Sequence, residues 1–126
     1  FENVPYIKDV DLYILNEIQK HSNRSLGITI DMEFMHLNGS DISWLATAFE
    51  KRIANVHFRD SDGNLLGEDG RRHYLIPGEG EIELQTAVKT LHDSGYRGPL
   101  TVEVSHRQKE NIIKAKQYAE DCLSKL

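Results

Sequence analysis

Cysteine is nearly absent from the chain: Cys122 is the single one, so no internal disulfide can form. Its place within a helical pattern marks it as a small buried apolar residue rather than a catalytic thiol, and a reducing, cytoplasmic setting is the expectation. No apolar run approaches the ~20 residues that a membrane-spanning helix needs. No secretory signal pattern, low-complexity segment or strong repeat is visible. Basic charge is also scarce: 15 Lys and Arg stand against 20 Asp and Glu, a net charge of −5. DNA binding draws on a basic face that displaces counterions, so this balance argues against nucleic acid as a partner, although a local basic patch can sit on an acidic protein.

What remains is ordinary for a soluble globular fold: 39% hydrophobic and 28% charged residues in a chain of 126, enough for a core and the length of one domain. Helical and β-type segments alternate along it. Val10, Tyr13, Ile14 and Ile18 recur at helical spacing, with Asp9 or Asp11 available as a cap. Leu26 to Met32 is rich in β-branched residues and predicts a strand. Ser40 or Asp41 can cap a helix with Ile42, Leu45, Ala46 and Phe49 on its apolar face, and Trp44 near its start is expected to pack. Ile53 to Phe58 predicts a second strand. Leu84, Ala87, Val88 and Leu91 mark a helix that stops at Gly95. Leu100 to Val104 predicts a third strand, and the last helix carries Ile112, Ala115, Ala119, Cys122 and Leu126 on one face. Phe1 to Val4 is too short to assign alone.

This order is α/β with parallel (β/α) units. Four such units make half of a (β/α)₈ barrel, which takes roughly 250 residues when complete. Four parallel strands cannot close, and open apolar edges invite pairing. The chain is therefore a fragment of a longer protein, a half that pairs with another half or with itself as an oligomer, or a small open sheet. Its start at Phe1 rather than Met favours the first, with residues 1–126 as one partial barrel domain.

Functional residues of such barrels lie at the C-terminal ends of strands. Those ends here offer Glu2, Asp31, His57 (with Asp60 just beyond) and Glu103. Three carboxylates and one imidazole suit a divalent ion such as Mg²⁺, Mn²⁺, Co²⁺ or Zn²⁺. Each residue also has a plainer reading. Glu2 can be a solvated terminal residue, and His57 a hydrogen-bonded core histidine. Asp31 follows an apolar strand and is costly to bury unpaired, so it calls for a ligand or an ion pair. Glu103 interrupts an apolar strand and needs a partner if it points inward.

The stretch from Arg59 to Gly80, with five glycines and one proline, predicts a long loop of the kind that often carries function. Its Arg59, Arg71, Arg72 and His73 can neutralise a phosphate or carboxylate of a substrate, or can be a solvated basic segment. Pro77 to Ile82 (PGEGEI) combines tight-turning glycines with acids, and is expected to shape the entry to the next helix. His21 and His92 fit helix surfaces. His106 lies just past Glu103.

The segments ITIDMEF, IANVHFRDSDG, IPGEGEIEL and GYRGPLTVEV resemble the C-terminal half of the xylose isomerase-like barrel group. That group takes in sugar-phosphate isomerases and epimerases, inosose dehydratase-like proteins and the endonuclease IV branch. HFRD followed by PGEGEI and GYRGPLTVEV is the most specific part, and the likeness covers about residues 26 to 105 well and the first five residues weakly. The resemblance implies a single divalent metal held by Glu2, Asp31, His57 and Glu103, with Glu2 and Glu103 also moving protons as the catalytic pair. It implies a small carbohydrate substrate and an isomerase or epimerase activity; His36, Arg59, Asp60, Arg71 and His73 are the candidate substrate-binding residues. Dehydration of an inosose, a DNA-repair activity and a non-catalytic half-barrel are the alternatives. One departure stands out: the group's histidine three residues after the aspartate is replaced by Phe34, and His36 lies two residues further on.

Overall fold

The computed structural model describes residues 1–21, 26–104 and 108–126. Helix α1 (Val10–Lys20) leads into strand β1 (Ile28–Asp31), followed at once by the short helix α2 (Met32–Leu37) and then α3 (Ile42–Phe49). A 3-10 turn at Glu50–Arg52 feeds β2 (Ile53–Phe58), and after the long loop come α4 (Leu84–Asp93), β3 (Leu100–Val102) and α5 (Lys109–Ser124). The sheet has the order β1-β2-β3, all parallel, and Glu2 adds a parallel bridge to Thr29 on the far side of β1. The connections are those of β/α units with helices packed on one face.

Side chains alternate across a strand, and the burial pattern follows that rule. Ile28 and Ile30, then Val56 and Phe58, point to the helices and are fully buried. They meet Leu45, Phe49, Leu84 and Leu91 in one core. The opposite face carries Thr29 and Asp31, Asn55 and His57, Thr101 and then Glu103. Thr101 Oγ1 donates to Asn55 Oδ1 at 2.9 Å there. In register, Asp31 lies beside His57 and His57 beside Thr101, so the polar face gathers its acids and imidazole at one end of the sheet.

Several expectations shift. Asp31 accepts a hydrogen bond from Phe34 N at 3.0 Å and so caps α2. The first strand therefore ends at Asp31, and Met32 belongs to a helix, because a capping carboxylate satisfies orphan N–H groups more effectively than one more strand residue would. At α3 it is Asp41 that caps, accepting from Trp44 N at 2.8 Å. At α1 neither candidate caps: Asp9 sits at the N-cap in the left-handed region without a side-chain bond, and Asp11 accepts from Ser40 Oγ instead. Trp44 is 39% exposed, touching Phe49 edge-on. The buried face of α5 is Ala115, Ala119 and Cys122, while Ile112 and Leu126 stay exposed. The stretch before α4 is not structureless: it folds back through antiparallel bridges between Leu66 and Arg72 and between Asp60 and Leu75. No helix among the described residues is long and apolar enough to cross a membrane.

Candidate metal centre

Each strand end delivers one polar group to the same spot. Asp31 is fully buried, held there by the β1 ladder and by its capping role. Asn3, also fully buried, fixes its backbone: Asn3 Oδ1 accepts from Asp31 N at 2.7 Å and Asn3 Nδ2 donates to Asp31 O at 3.0 Å. That pair extends the sheet by a side chain and sets Glu2 next to β1. Burial pushes the Asp31 carboxyl above the usual range, opposed by Arg59, the Phe34 N–H and His57.

His57 Nδ1 is the hub. Glu2 Oε1 lies 2.9 Å away, Asp31 Oδ2 3.4 Å and Glu103 Oε2 3.5 Å. Yet this nitrogen is buried without a hydrogen-bond partner, so the carboxylates crowd it without hydrogen-bond geometry. Donor atoms around a small divalent ion, at bonds of about 2.0–2.2 Å, stand on the order of 3 Å from one another. The spacing, the orphaned nitrogen and the mix of oxygen and imidazole donors fit such an ion. Glu2, Asp31 and His57 each offer a ligand atom within 4.8 Å of the others. Glu103 lies outside that group, with Oε2 approaching His57 Nδ1 at 3.5 Å.

Charge supports the same fit. Beside Glu2, Asp31 and Glu103 lies Glu33, buried on α2. Against these stand two guanidiniums. Arg59, 6% exposed, bonds Asp31 Oδ2 at 2.9 Å and Glu103 Oε2 at 3.0 Å and pairs with Glu33. Arg72 grips Glu33 with both terminal nitrogens at 2.5 Å. Phe34 and Tyr74 lie against both guanidiniums, with ring centres 4.9–5.6 Å from them. Four carboxylates against two guanidiniums leave two negative charges, which one divalent ion neutralises.

The other expected binding residues fall elsewhere. Asp60 is buried and turned onto its own loop. Its Oδ2 accepts from Gly78 N at 2.8 Å and Gly80 N at 2.9 Å, and its Oδ1 from Ser61 N at 2.9 Å and Ile82 N at 3.2 Å. A Cβ on Gly80 would stand 2.3 Å from Asp60 Oδ1, so the PGEGEI glycine serves this close approach. Arg71 is 81% exposed near Asp69. His73 lies 3.9 Å from Asp62. His36 is half-buried on α2 with Nδ1 unpartnered. His106 falls outside the described residues. Sequence reasoning missed Glu33, Tyr74 and the backbone role of Asn3. The place of Asn3 next to Glu2 in the sequence was the visible signal for the last.

The model of the xylose isomerase-like TIM barrel family matches residues 7–124. The chain belongs to that family. Asp31, His57 and Glu103 lie within the matched span and Glu2 just before it. Among relatives of this xylose isomerase-like chain, inosose isomerase of Bacillus subtilis (strain 168) is 28% identical over 116 residues, covering 86% of this chain and 42% of the relative. Inosose isomerase of Halalkalibacterium halodurans is 30% identical over 80 residues, covering 64% and 28%. Inosose dehydratase of Lacticaseibacillus casei is 24% identical over 109 residues, covering 74% and 37%. The chain thus spans less than half the length of these relatives. A crystal structure of the IolI protein with a zinc atom bound superposes with a TM-score of 0.71 at 26% identity, covering 88% of this chain and 42% of that one. A xylose isomerase domain protein from Planctomyces limnophilus has the same fold, with a TM-score of 0.76 at 23% identity over 98% and 46%.

Proposed function

We propose that residues 1–126 are the last four β/α units of a barrel enzyme that isomerises or epimerises a small polyhydroxylated carbonyl compound of the inosose kind. Its metal would be Mn²⁺, Mg²⁺, Co²⁺ or Zn²⁺, held by Glu2, Asp31, His57 and Glu103. One observation carries the reading. Glu2 arrives from beyond β1 and Glu103 from β3, so the two carboxylates approach the His57 imidazole from opposite edges of the sheet. Both are accessible, 42% and 47% exposed, whereas Asp31 is closed off at 0%. Asp31 is suited to hold, and the glutamates to touch a substrate.

When bound, a divalent ion polarises a carbonyl oxygen and acidifies the adjacent C–H. Glu2 and Glu103 supply the rest: one carboxylate takes the proton from the carbon next to the carbonyl, and the other returns it or serves the neighbouring oxygen. Dehydration of an inosose starts from the same proton abstraction, and the L. casei relative favours it as the second reading.

The test is proton NMR in D₂O with Mn²⁺ and an inosose. Isomerisation or epimerisation predicts deuterium uptake at the carbon beside the carbonyl, lost in Glu2→Gln and Glu103→Gln. Loss of water to give an enone identifies the dehydratase instead. No exchange and no enone with any polyhydroxylated ketone sinks both.

A further inference from the structure

We infer that Arg59 is a resident counter-ion of the metal centre: a guanidinium that shares the ligand oxygens of Asp31 and Glu103 and limits how tightly a divalent ion is held. The inference rests on the metal-centre reading above.

The geometry is specific to two atoms. Asp31 Oδ2 and Glu103 Oε2 are the oxygens that approach His57 Nδ1, at 3.4 and 3.5 Å. The same two oxygens are the ones bonded to Arg59 Nη1, at 2.9 and 3.0 Å. The donors aimed at the ion therefore already carry a charge-assisted bond to a permanent cation.

Arg59 cannot relax away into water. Its side chain is 6% exposed, and its other terminal nitrogen is paired with Glu33, itself 2% exposed. Arg72 holds Glu33 from the far side with both nitrogens at 2.5 Å. The order Arg72, Glu33, Arg59, then Asp31 and Glu103 is a chain of alternating charge that ends on the ligand oxygens. Its inner cation does two opposing things. It stabilises the carboxylates against one another when no ion is bound, and it repels a divalent ion and draws electron density from its ligands when one is. Without it, the same four carboxylates would face one guanidinium and hold one more negative charge than a divalent ion cancels.

The experiment is calorimetric titration with MnCl₂ of the wild type, Arg59→Gln, Arg59→Lys and Glu33→Gln combined with Arg72→Gln, with melting curves taken with and without Mn²⁺. Arg59→Gln is expected to bind Mn²⁺ about tenfold more tightly, to melt below wild type without the ion, and to gain a larger upward shift from it. Arg59→Lys keeps the charge and is expected near wild-type affinity. A folded Arg59→Gln that binds Mn²⁺ equally or more weakly overturns the proposal, because the guanidinium would then only orient its neighbours. If Arg59→Gln does not fold, Glu33→Gln combined with Arg72→Gln decides: the pair keeps the balance at two negative charges, and Arg59, released from Glu33, presses on Asp31 and Glu103 alone and weakens Mn²⁺ binding, whereas unchanged or tighter binding overturns the idea. A wild type that takes up no Mn²⁺ removes the metal centre as well. A wild type that binds while Arg59→Gln is unaltered removes the role of Arg59 and leaves the centre standing.

Discussion

Asn3 holds Asp31 by its backbone on both sides, accepting from its N–H at 2.7 Å and donating to its carbonyl at 3.0 Å. A side-chain amide here does what a neighbouring strand's peptide group would do. Replacing it with Ala leaves a buried N–H and a buried C=O without partners, each costing about 1–3 kcal/mol. Asn3→Ala is expected to lower unfolding free energy in urea titrations by an amount of that order. It is also expected to weaken Mn²⁺ uptake measured by calorimetry, because the register of both Glu2 and Asp31 depends on this clasp. Asn3→Asp keeps an acceptor but loses the donor and buries a charge facing the Asp31 carbonyl, so it is expected to destabilise at least as much as Asn3→Ala.

Metal binding is expected to be acid-sensitive, with the sign set by Asp31. Burial holds its carboxyl above the usual carboxylate range, and a divalent ion takes the ionised form. Affinity is therefore expected to decline as pH falls, as protons compete for the Asp31 carboxylate and for the His57 imidazole, which must be neutral to hold an ion, and to do so at a higher pH than an exposed aspartate alone would give. Calorimetry across pH 4 to 8, in buffers of different ionisation heat, reads both the decline and the protons released. Affinity that holds level until the range of an ordinary exposed carboxylate contradicts this.

The loop before α4 hangs on Asp60, whose oxygens accept four backbone N–H groups. Asparagine at this position turns one acceptor into a donor facing N–H groups. Asp60→Asn is expected to cost about 1–3 kcal/mol and to speed amide exchange at residues 78–82, read by hydrogen exchange. Gly80→Ala meets the same carboxylate at 2.3 Å and the Ser61 carbonyl at 2.6 Å, and overpacking of this kind costs about 1–3 kcal/mol.

Asp11 is buried against Ser40, and burial raises its carboxyl above the usual value despite that bond. A raised folded-state titration means that the folded form prefers the proton. This contribution to stability is full below the unfolded value of about 3.9 and is lost as pH rises through the folded value. Asp11→Asn keeps an acceptor for Ser40 Oγ without the charge. It is expected to be more stable than wild type at pH 7, with the gap closing at pH 3 in paired melting curves.

The strands and main helices were legible in the sequence because they rest on local periodicity: Ile28 and Ile30, Val56 and Phe58, and Leu84 with Leu91 are buried as their spacing implies. The ends of β1 and β2 were legible to within a residue, which set Asp31 beside His57, whereas Glu2 and Glu103 lie outside the regular strands. What escaped depends on distance along the chain. Glu33 and Arg72 are 39 residues apart, and no local pattern joins them. Arg59 had the look of a substrate-facing cation, yet the fold turns it onto Asp31 and Glu103. Asp60 was misjudged for a related reason: a carboxylate beside a candidate ligand invites a chemical role, whereas its neighbours in space are backbone amides. Ile112 was expected on the packed face of α5 with Ala115, Ala119 and Cys122; those three are buried there and Ile112 is exposed.

Asp31 is at once the end of a strand, the cap of α2 and a candidate ligand. Any replacement at this position therefore confounds three quantities: the start of a helix, the pairing of an arginine and the occupancy of an ion. A mutational scan would rank position 31 as intolerant without saying why. Separating the causes takes neighbours that share fewer functions with it: Phe34→Pro removes the N–H that Asp31 accepts from, together with a ring that lies against Arg59 and Arg72, whereas His57→Ala removes an ion ligand and leaves the helix start in place.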